Sequence, residues 1–144
     1  MLVKQILQYK PDKAVATVLP ELSISEAVSI LSKKRIGALV VSETGKDAAG
    51  VISERDVVRE IGKRGTGLLR ESVRTIMSSN VVCCTEDETA DQVLTKMTNG
   101  RFRHMPVLSD GEMIGLISIG DVVKARLAEL EVEKQALEGM IMGH

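Results

Sequence analysis

The feature that most constrains this chain is a half-length sequence written twice. Residues 35–58, RIGALVVSETGKDAAGVISERDVV, are echoed by residues 101–123, RFRHMPVLSDGEMIGLISIGDVV. A shift of 66 residues lays Ile24 on Ala90, Ala27 on Val93, Val28 on Leu94 and Leu31 on Met97. The same shift lays Ile36 on Phe102, Leu39 on Met105 and Val41 on Val107. Beyond the next loop the shift falls to 65, with Gly50 on Gly115 and Asp56 on Asp121. The second loop is one residue shorter, a change that a surface turn absorbs most easily. A chain of 144 residues holds one compact core, so the two copies are expected to share it.

Each copy carries the same local signals. A short extended run is expected at 15–19 and again at 81–85. Helices follow over about 25–34 and 89–99. Ile24, Ala27, Val28 and Leu31 have the spacing of one buried helical face, and Ala90, Val93, Leu94 and Met97 repeat it. Ser23 or Ser25, and Asp87 or Thr89, are candidate N-caps. Two strands come next, at 38–42 and 50–53, then at 105–108 and 114–118. The second pair is joined by SDGE, whose Asp-Gly is a strong hairpin signal. A final helix starts near Asp56 or Asp121. The expected fold is α+β, a β-α-β-β-α unit used twice, with an N-terminal helix and a long C-terminal helix. The expected divisions are 1–61 for the helix and first unit, 62–80 for a glycine-bearing linker, 81–126 for the second unit and 127–144 for a helical extension. The SVRTIM stretch of the linker is expected to form a turn of helix.

Composition narrows the function. Net charge is −1, which gives no broad attraction to nucleic acid or an anionic membrane. Tyr9 and Phe102 are the only aromatics, so the stacking platforms of a single-strand binder are missing. No run approaches the ~20 apolar residues that cross a bilayer, and the opening MLVKQILQYK does not read as a signal peptide. The cysteines, Cys83 and Cys84, are adjacent, which suits reduced thiols and a cytoplasmic location.

The chemistry is concentrated in Ser-x-x-Asp, at Ser53–Asp56 and Ser118–Asp121. One reading is a capping box before a helix. The other starts from position: serine ends a strand and aspartate opens a helix, twice. That junction presents backbone N–H groups and a favourable dipole to phosphate. A carboxylate there offers two oxygens to the paired hydroxyls of a ribose.

On these motifs, RIGALVV with GVISERDVV and RFRHMPVL with GLISIGDVV, the chain resembles a tandem pair of CBS (cystathionine β-synthase) domains. The ending EVEKQALEGMIMGH resembles stand-alone bacterial CBS-pair proteins. The resemblance implies two motifs packed with pseudo-twofold symmetry and clefts for adenosine ligands: AMP, ADP, ATP, NAD(H) or S-adenosylmethionine. It also implies disc-like homodimers. Carried over by position, Asp56 and Asp121 match the ribose-binding aspartates, and Ser53 and Ser118 the phosphate-contacting hydroxyls. Thr17 and Cys83 match a first-strand position near adenine or ribose. Gly37 and Ala38, with Arg103, His104, Met105 and Pro106, match segments that hold the adenine; Arg35 leads the first of them. The copies differ in cations. The first has Arg55 and Arg59 around its aspartate. The second has Gly120 and Lys124 there, with Arg101, Arg103 and His104 before its strand. The two clefts are therefore expected to differ in ligand or in phosphate number.

The remaining residues add little chemistry. Only His144 accompanies His104, so no metal site is expected, and His104 suits phosphate contact. Neither serine lies in a nucleophile elbow, no phosphate loop occurs, and no catalytic residue is expected. The seven methionines fill core space left by missing aromatics. Val123, Leu127, Leu130, Leu137 and Ile141 form a heptad-like seam interrupted by Lys134, expected to be covered by a second copy. The expected function is an adenine-nucleotide sensor that signals to a separate, unidentified effector protein. The alternative is an assembly module whose clefts bind nothing.

Overall fold

The computed structural model describes residues 1–11 and 14–143. Helix α1 (Val3–Tyr9) precedes the first copy of the unit: strand β1 (Thr17–Val18), helix α2 (Ile24–Lys34), strands β2 (Ala38–Val41) and β3 (Gly50–Ser53), and helix α3 (Glu54–Arg64). Two short 3-10 turns, Thr66–Arg70 and Val73–Thr75, lead into the second copy. It holds β4 (Cys84–Thr85), α4 (Ala90–Gly100), β5 (His104–Ser109), β6 (Glu112–Ser118) and α5 (Ile119–Ile141). The α+β fold and its two terminal helices match the sequence expectation.

Each copy forms a three-stranded sheet with its middle strand parallel to the first and antiparallel to the third. The expected first strands shrink to two residues each, since only Thr17–Val18 and Cys84–Thr85 keep ladder partners. The Asp110-Gly111 hairpin forms with both residues at positive φ, the conformation a two-residue loop needs. Among the candidate caps, Ser23 and Thr89 are the ones used, each accepting from a backbone N–H three residues on.

Period-two alternation directs the sheets. Leu39, Val41 and Ile52 enter a core with Ile24, Ala27 and Leu31 of α2. Met105, Val107 and Ile117 enter a second core with Ala90, Val93 and Met97 of α4. Each fully buried aliphatic side chain of this size contributes about 1.5–3 kcal/mol. The alternate residues Ala38 and Val40 are buried as well, so β2 is covered on both faces.

The cores are not built from their own halves alone. The segment VKQIL at 3–7 matches VRTIM at 73–77, a shift of 70 residues. Val3 and Ile6 insert into the second core, and Val73 and Ile76 into the first. The backbone bonds are reciprocal. Val3 N donates to Glu88 O and Lys4 N to Glu86 O, while Val73 N donates to Leu22 O and Arg74 N to Pro20 O. Ala90 N donates to Met1 O, as Ile24 N does to Glu71 O. The two halves thus exchange their opening segments. Glycine permits the close approach: a methyl on Gly50 would lie 2.5 Å from Met77 Sδ, and one on Gly115 2.8 Å from Leu7 Cδ2.

Helix α5 outlasts the domain. Val122 and Ala125 are buried, but Val123, Leu127, Leu130, Leu137 and Ile141 are all exposed. The seam exists, and among the described residues it is left largely open to solvent along its length.

Candidate functional site

The exchange leaves two clefts between the halves, separated by a wall where His104 meets Gly37. Gly37, His104 and Ser118 border both. One cleft, of about 1020 Å³, takes Asp121 from the second half and residues 14–16 and 34–38 from the first. The other, of about 640 Å³, takes Ser53, Arg55, Asp56 and Arg59 from the first half and residues 80–82 and 100–103 from the second. Both volumes are large enough for a nucleotide-sized ligand.

Each cleft therefore draws on both copies, and the grouping of cations by half does not survive folding. Arg101 and Arg103 stand with Arg55, Arg59 and Asp56. Asp121 instead faces Lys4, Lys10, Lys34, Arg35 and Lys124. One cleft is rich in arginine, which grips phosphate oxygens in pairs. The other is rich in lysine, a point charge.

Arg35 and Arg101 hold equivalent places. Each caps its helix, α2 or α4, in the left-handed conformation, at φ 53° and 56°. A non-glycine residue rarely adopts it, and here it does so on the rim of each cleft.

Both Ser-x-x-Asp motifs are complete capping boxes. Asp56 N donates to Ser53 Oγ at 3.2 Å, and Ser53 N donates to Asp56 Oδ2 at 2.8 Å. In the second half, Asp121 N donates to Ser118 Oγ at 3.1 Å and Ser118 N to Asp121 Oδ2 at 2.9 Å. The serines are thus tied to their helices, while each aspartate commits Oδ2 to the box and leaves Oδ1 outside it. Asp56 Oδ1 accepts from Arg59 at 3.0 Å. Among the described residues nothing donates to Asp121 Oδ1.

Asp121 has a different neighbour. Lys10 Nζ lies 3.0 Å from Asp121 Oδ2 and donates to the Leu116 carbonyl at 2.7 Å. Burial works against the Asp121 charge, but the Ser118 N–H and the Lys10 ammonium outweigh it and hold the carboxyl below the usual aspartate range. His104 is pulled the other way. Burial, aided by the Lys10 charge, lowers its pKa despite Asp121, Glu54 and Asp56, which favours the uncharged imidazole in the wall between the clefts.

Several positions carried over from the resemblance lie elsewhere. Thr17 and Cys83 sit one residue beyond the lining stretches 14–16 and 80–82. Met105 is wholly buried in the second core, Pro106 is buried in β5, and Gly120 is exposed on the first turn of α5; none of the three lines a cleft. Cys84 is a core residue whose thiol burial pushes up to about 12, which keeps it unreactive. Lys10 was not singled out by the sequence. Its signal is an insertion: the shift of 70 between 3–7 and 73–77 becomes 66 by residue 18, so the first half carries four extra residues around Lys10.

Comparison with known proteins fits this geometry. The family model for the CBS domain matches residues 3–63 and 73–128. The chain belongs to the CBS-domain family. The two matches begin at Val3 and Val73, the first residues of the exchanged segments. The second start therefore falls inside the stretch read as linker. The crystal structure of a CBS-domain containing protein, ATU1752 from Agrobacterium tumefaciens, is 44% identical with a TM-score of 0.83, covering 88% of this chain and 99% of that one. A CBS domain pair of protein MJ0100, in complex with 5-methylthioadenosine and S-adenosyl-L-methionine, is 28% identical with a TM-score of 0.76, covering 90% and 98%. A mitochondrial CBS domain-containing protein of Arabidopsis thaliana, CBSX3, is 36% identical over 125 residues, 84% of this chain. The chain spans about 61% of that relative's length.

Proposed function

We propose that this CBS pair is an adenine-nucleotide-binding regulatory module, with AMP, ATP or NAD(H) as ligand and no catalytic step. The observation that carries it is the doubled arrangement at the clefts. In each, a helix-capping aspartate lines a nucleotide-sized space bordered by cations and keeps one oxygen outside its capping box. That oxygen suits a ribose hydroxyl, and the cations suit phosphate. The adenosyl ligands of the MJ0100 pair, at 28% identity, support the same chemistry. The four arginines around Asp56 favour more phosphate groups there than in the lysine-lined cleft. Because each cleft spans both halves, ligand alters their packing, and the change is read by a separate effector protein. Its size is bounded by the ligand's differential affinity for the two packings. The exposed stripe on α5 supports a homodimer with paired C-terminal helices. The unpaired thiols of Cys83 and Cys84 suit the cytoplasm.

A scaffold without ligand is favoured by one fact: both capping boxes are complete without one. Calorimetric titration with AMP, ATP, NAD and NADH separates the readings. Asp56→Asn and Asp121→Asn keep a side chain able to cap while removing the charge. Micromolar binding that each substitution abolishes at its own cleft supports the sensor. Binding to neither cleft, or binding indifferent to both substitutions, leaves the scaffold.

A further inference from the structure

The two edge strands close off differently, and the difference falls inside a cleft. In the first half, Val51 of β3 exchanges backbone bonds with Ser78: Val51 N donates to Ser78 O at 3.0 Å and Ser78 N to Val51 O at 2.9 Å. Leu116 of β6 is the counterpart of Val51, and its carbonyl is taken by the Lys10 ammonium instead. This lysine, in the stretch 8–17 where the first half is four residues longer, stands where the other half uses backbone. The same ammonium bonds Asp121.

Arg59 beside Asp56 is not equivalent. It stands one helical turn along α3, its side chain is half exposed, and its other neighbour within ion-pair range is Glu60 at 3.8 Å. It swings into solvent without leaving any backbone group unpaired. Lys10 is three-quarters buried and holds two acceptors. Moving it off Asp121 disturbs an edge-strand carbonyl and the end of α1, where Lys10 N donates to Leu7 O.

We infer that Lys10 is a built-in competitor for Asp121, which makes the lysine-lined cleft the weaker of the two, so the Asp56 cleft fills first. This rests on the nucleotide-binding reading. A ribose diol that bridges both oxygens of either aspartate meets an ion pair, Lys10 on Asp121 Oδ2 or Arg59 on Asp56 Oδ1. The Lys10 pair is the harder to displace, because that side chain is three-quarters buried and also holds the Leu116 carbonyl while Arg59 is half exposed. The two clefts then respond over separate concentration ranges.

The test uses the full chain, AMP and calorimetry. Wild type shows two classes of site. Lys10→Met tightens the weaker class about tenfold and leaves the tighter class unchanged. Lys10→Gln, which still offers a donor to the Leu116 carbonyl, does the same if Lys10→Met fails to fold. Asp56→Asn removes the tighter class and isolates the weaker one. Weaker binding in the lysine variants means that Lys10 contacts the ligand, and unchanged binding means that it is idle; either overturns the inference and leaves the function standing. Absence of AMP binding to wild type overturns both. A second measurement needs no nucleotide: acetylation of lysines followed by mass spectrometry. Lys10 reacts several-fold slower than exposed Lys33, and Asp121→Asn abolishes that protection. Equal rates in wild type overturn the competitor.

Discussion

Strands β3 and β6 hold the same place in their halves, yet one is bordered by backbone and the other by a charged side chain. The sheets themselves are near copies. They share strand order and a buried middle strand, and both open their helices with Ser-x-x-Asp. Divergence is tolerated at the borders, where it changes what lines a cleft without unsettling a core. Inside, a changed volume is felt at once.

The largest effect tests the exchange of opening segments. Val3→Ala and Val73→Ala each remove a wholly buried side chain and should destabilise the protein by about 2–3 kcal/mol. Hydrogen exchange locates the damage. Val3→Ala should weaken protection in α4 and β5 before α2 and β2, and Val73→Ala should do the reverse. Damage confined to each residue's own half would break the comparison.

A smaller effect sharpens the contrast between borders. A methyl at Gly50 meets Met77 Sδ and also the Ser78 carbonyl at 3.1 Å, which is backbone bound to β3. The three atoms nearest a methyl at Gly115 all belong to the Leu7 side chain. Urea denaturation should give about 2 kcal/mol of destabilisation for Gly50→Ala and about 1 kcal/mol for Gly115→Ala. Equal losses would mean that the two borders are equally rigid.

The smallest effect is electrostatic. The folded pKa of Asp121 lies below its unfolded value, so its contribution is present above the unfolded pKa, near 4, and is lost as pH falls through the folded pKa. Asp121→Asn should flatten the loss of stability below about pH 4 by a few tenths of a kcal/mol, because the pair is partly exposed and screened. Lys10→Met should flatten it in part. An unaltered acid limb in both variants would remove Lys10 from the account.

What the sequence revealed was what local chemistry dictates. Two short runs flanking a turn-rich segment became β2 and β3, Asp-Gly became the β5–β6 turn, and Ser-x-x-Asp became a pair of caps. What it hid was non-local. Three glycines made 62–80 look like a linker, although Val73 and Ile76 within it are core residues of the first half. Two-residue strands carry no periodicity, so nothing in the sequence pointed to 14–16 and 80–82, rather than Thr17 and Cys83, as the lining stretches. Lys10 carries no repeat signal, because it lies in the stretch 8–17 where the first half is four residues longer and the two copies have no fixed register. The crossed sharing of Arg101 and Arg103 with Asp56 depends on how the halves pack, which no pattern within one half encodes.

The exchange of opening segments also bears on how the molecule is made. A nascent chain that has emerged as far as residue 64 has its first sheet and helices but lacks Val73 and Ile76, which complete their packing. Its own Val3 and Ile6 have nowhere to dock until α4 and the second sheet exist. The first core can therefore close only once residues 73–77 have emerged, and Val3 and Ile6 wait until the second half is out, so the native state is reached late. Neither half is expected to survive excision as a folded fragment, so the smallest unit that a gene can move or duplicate intact is the pair.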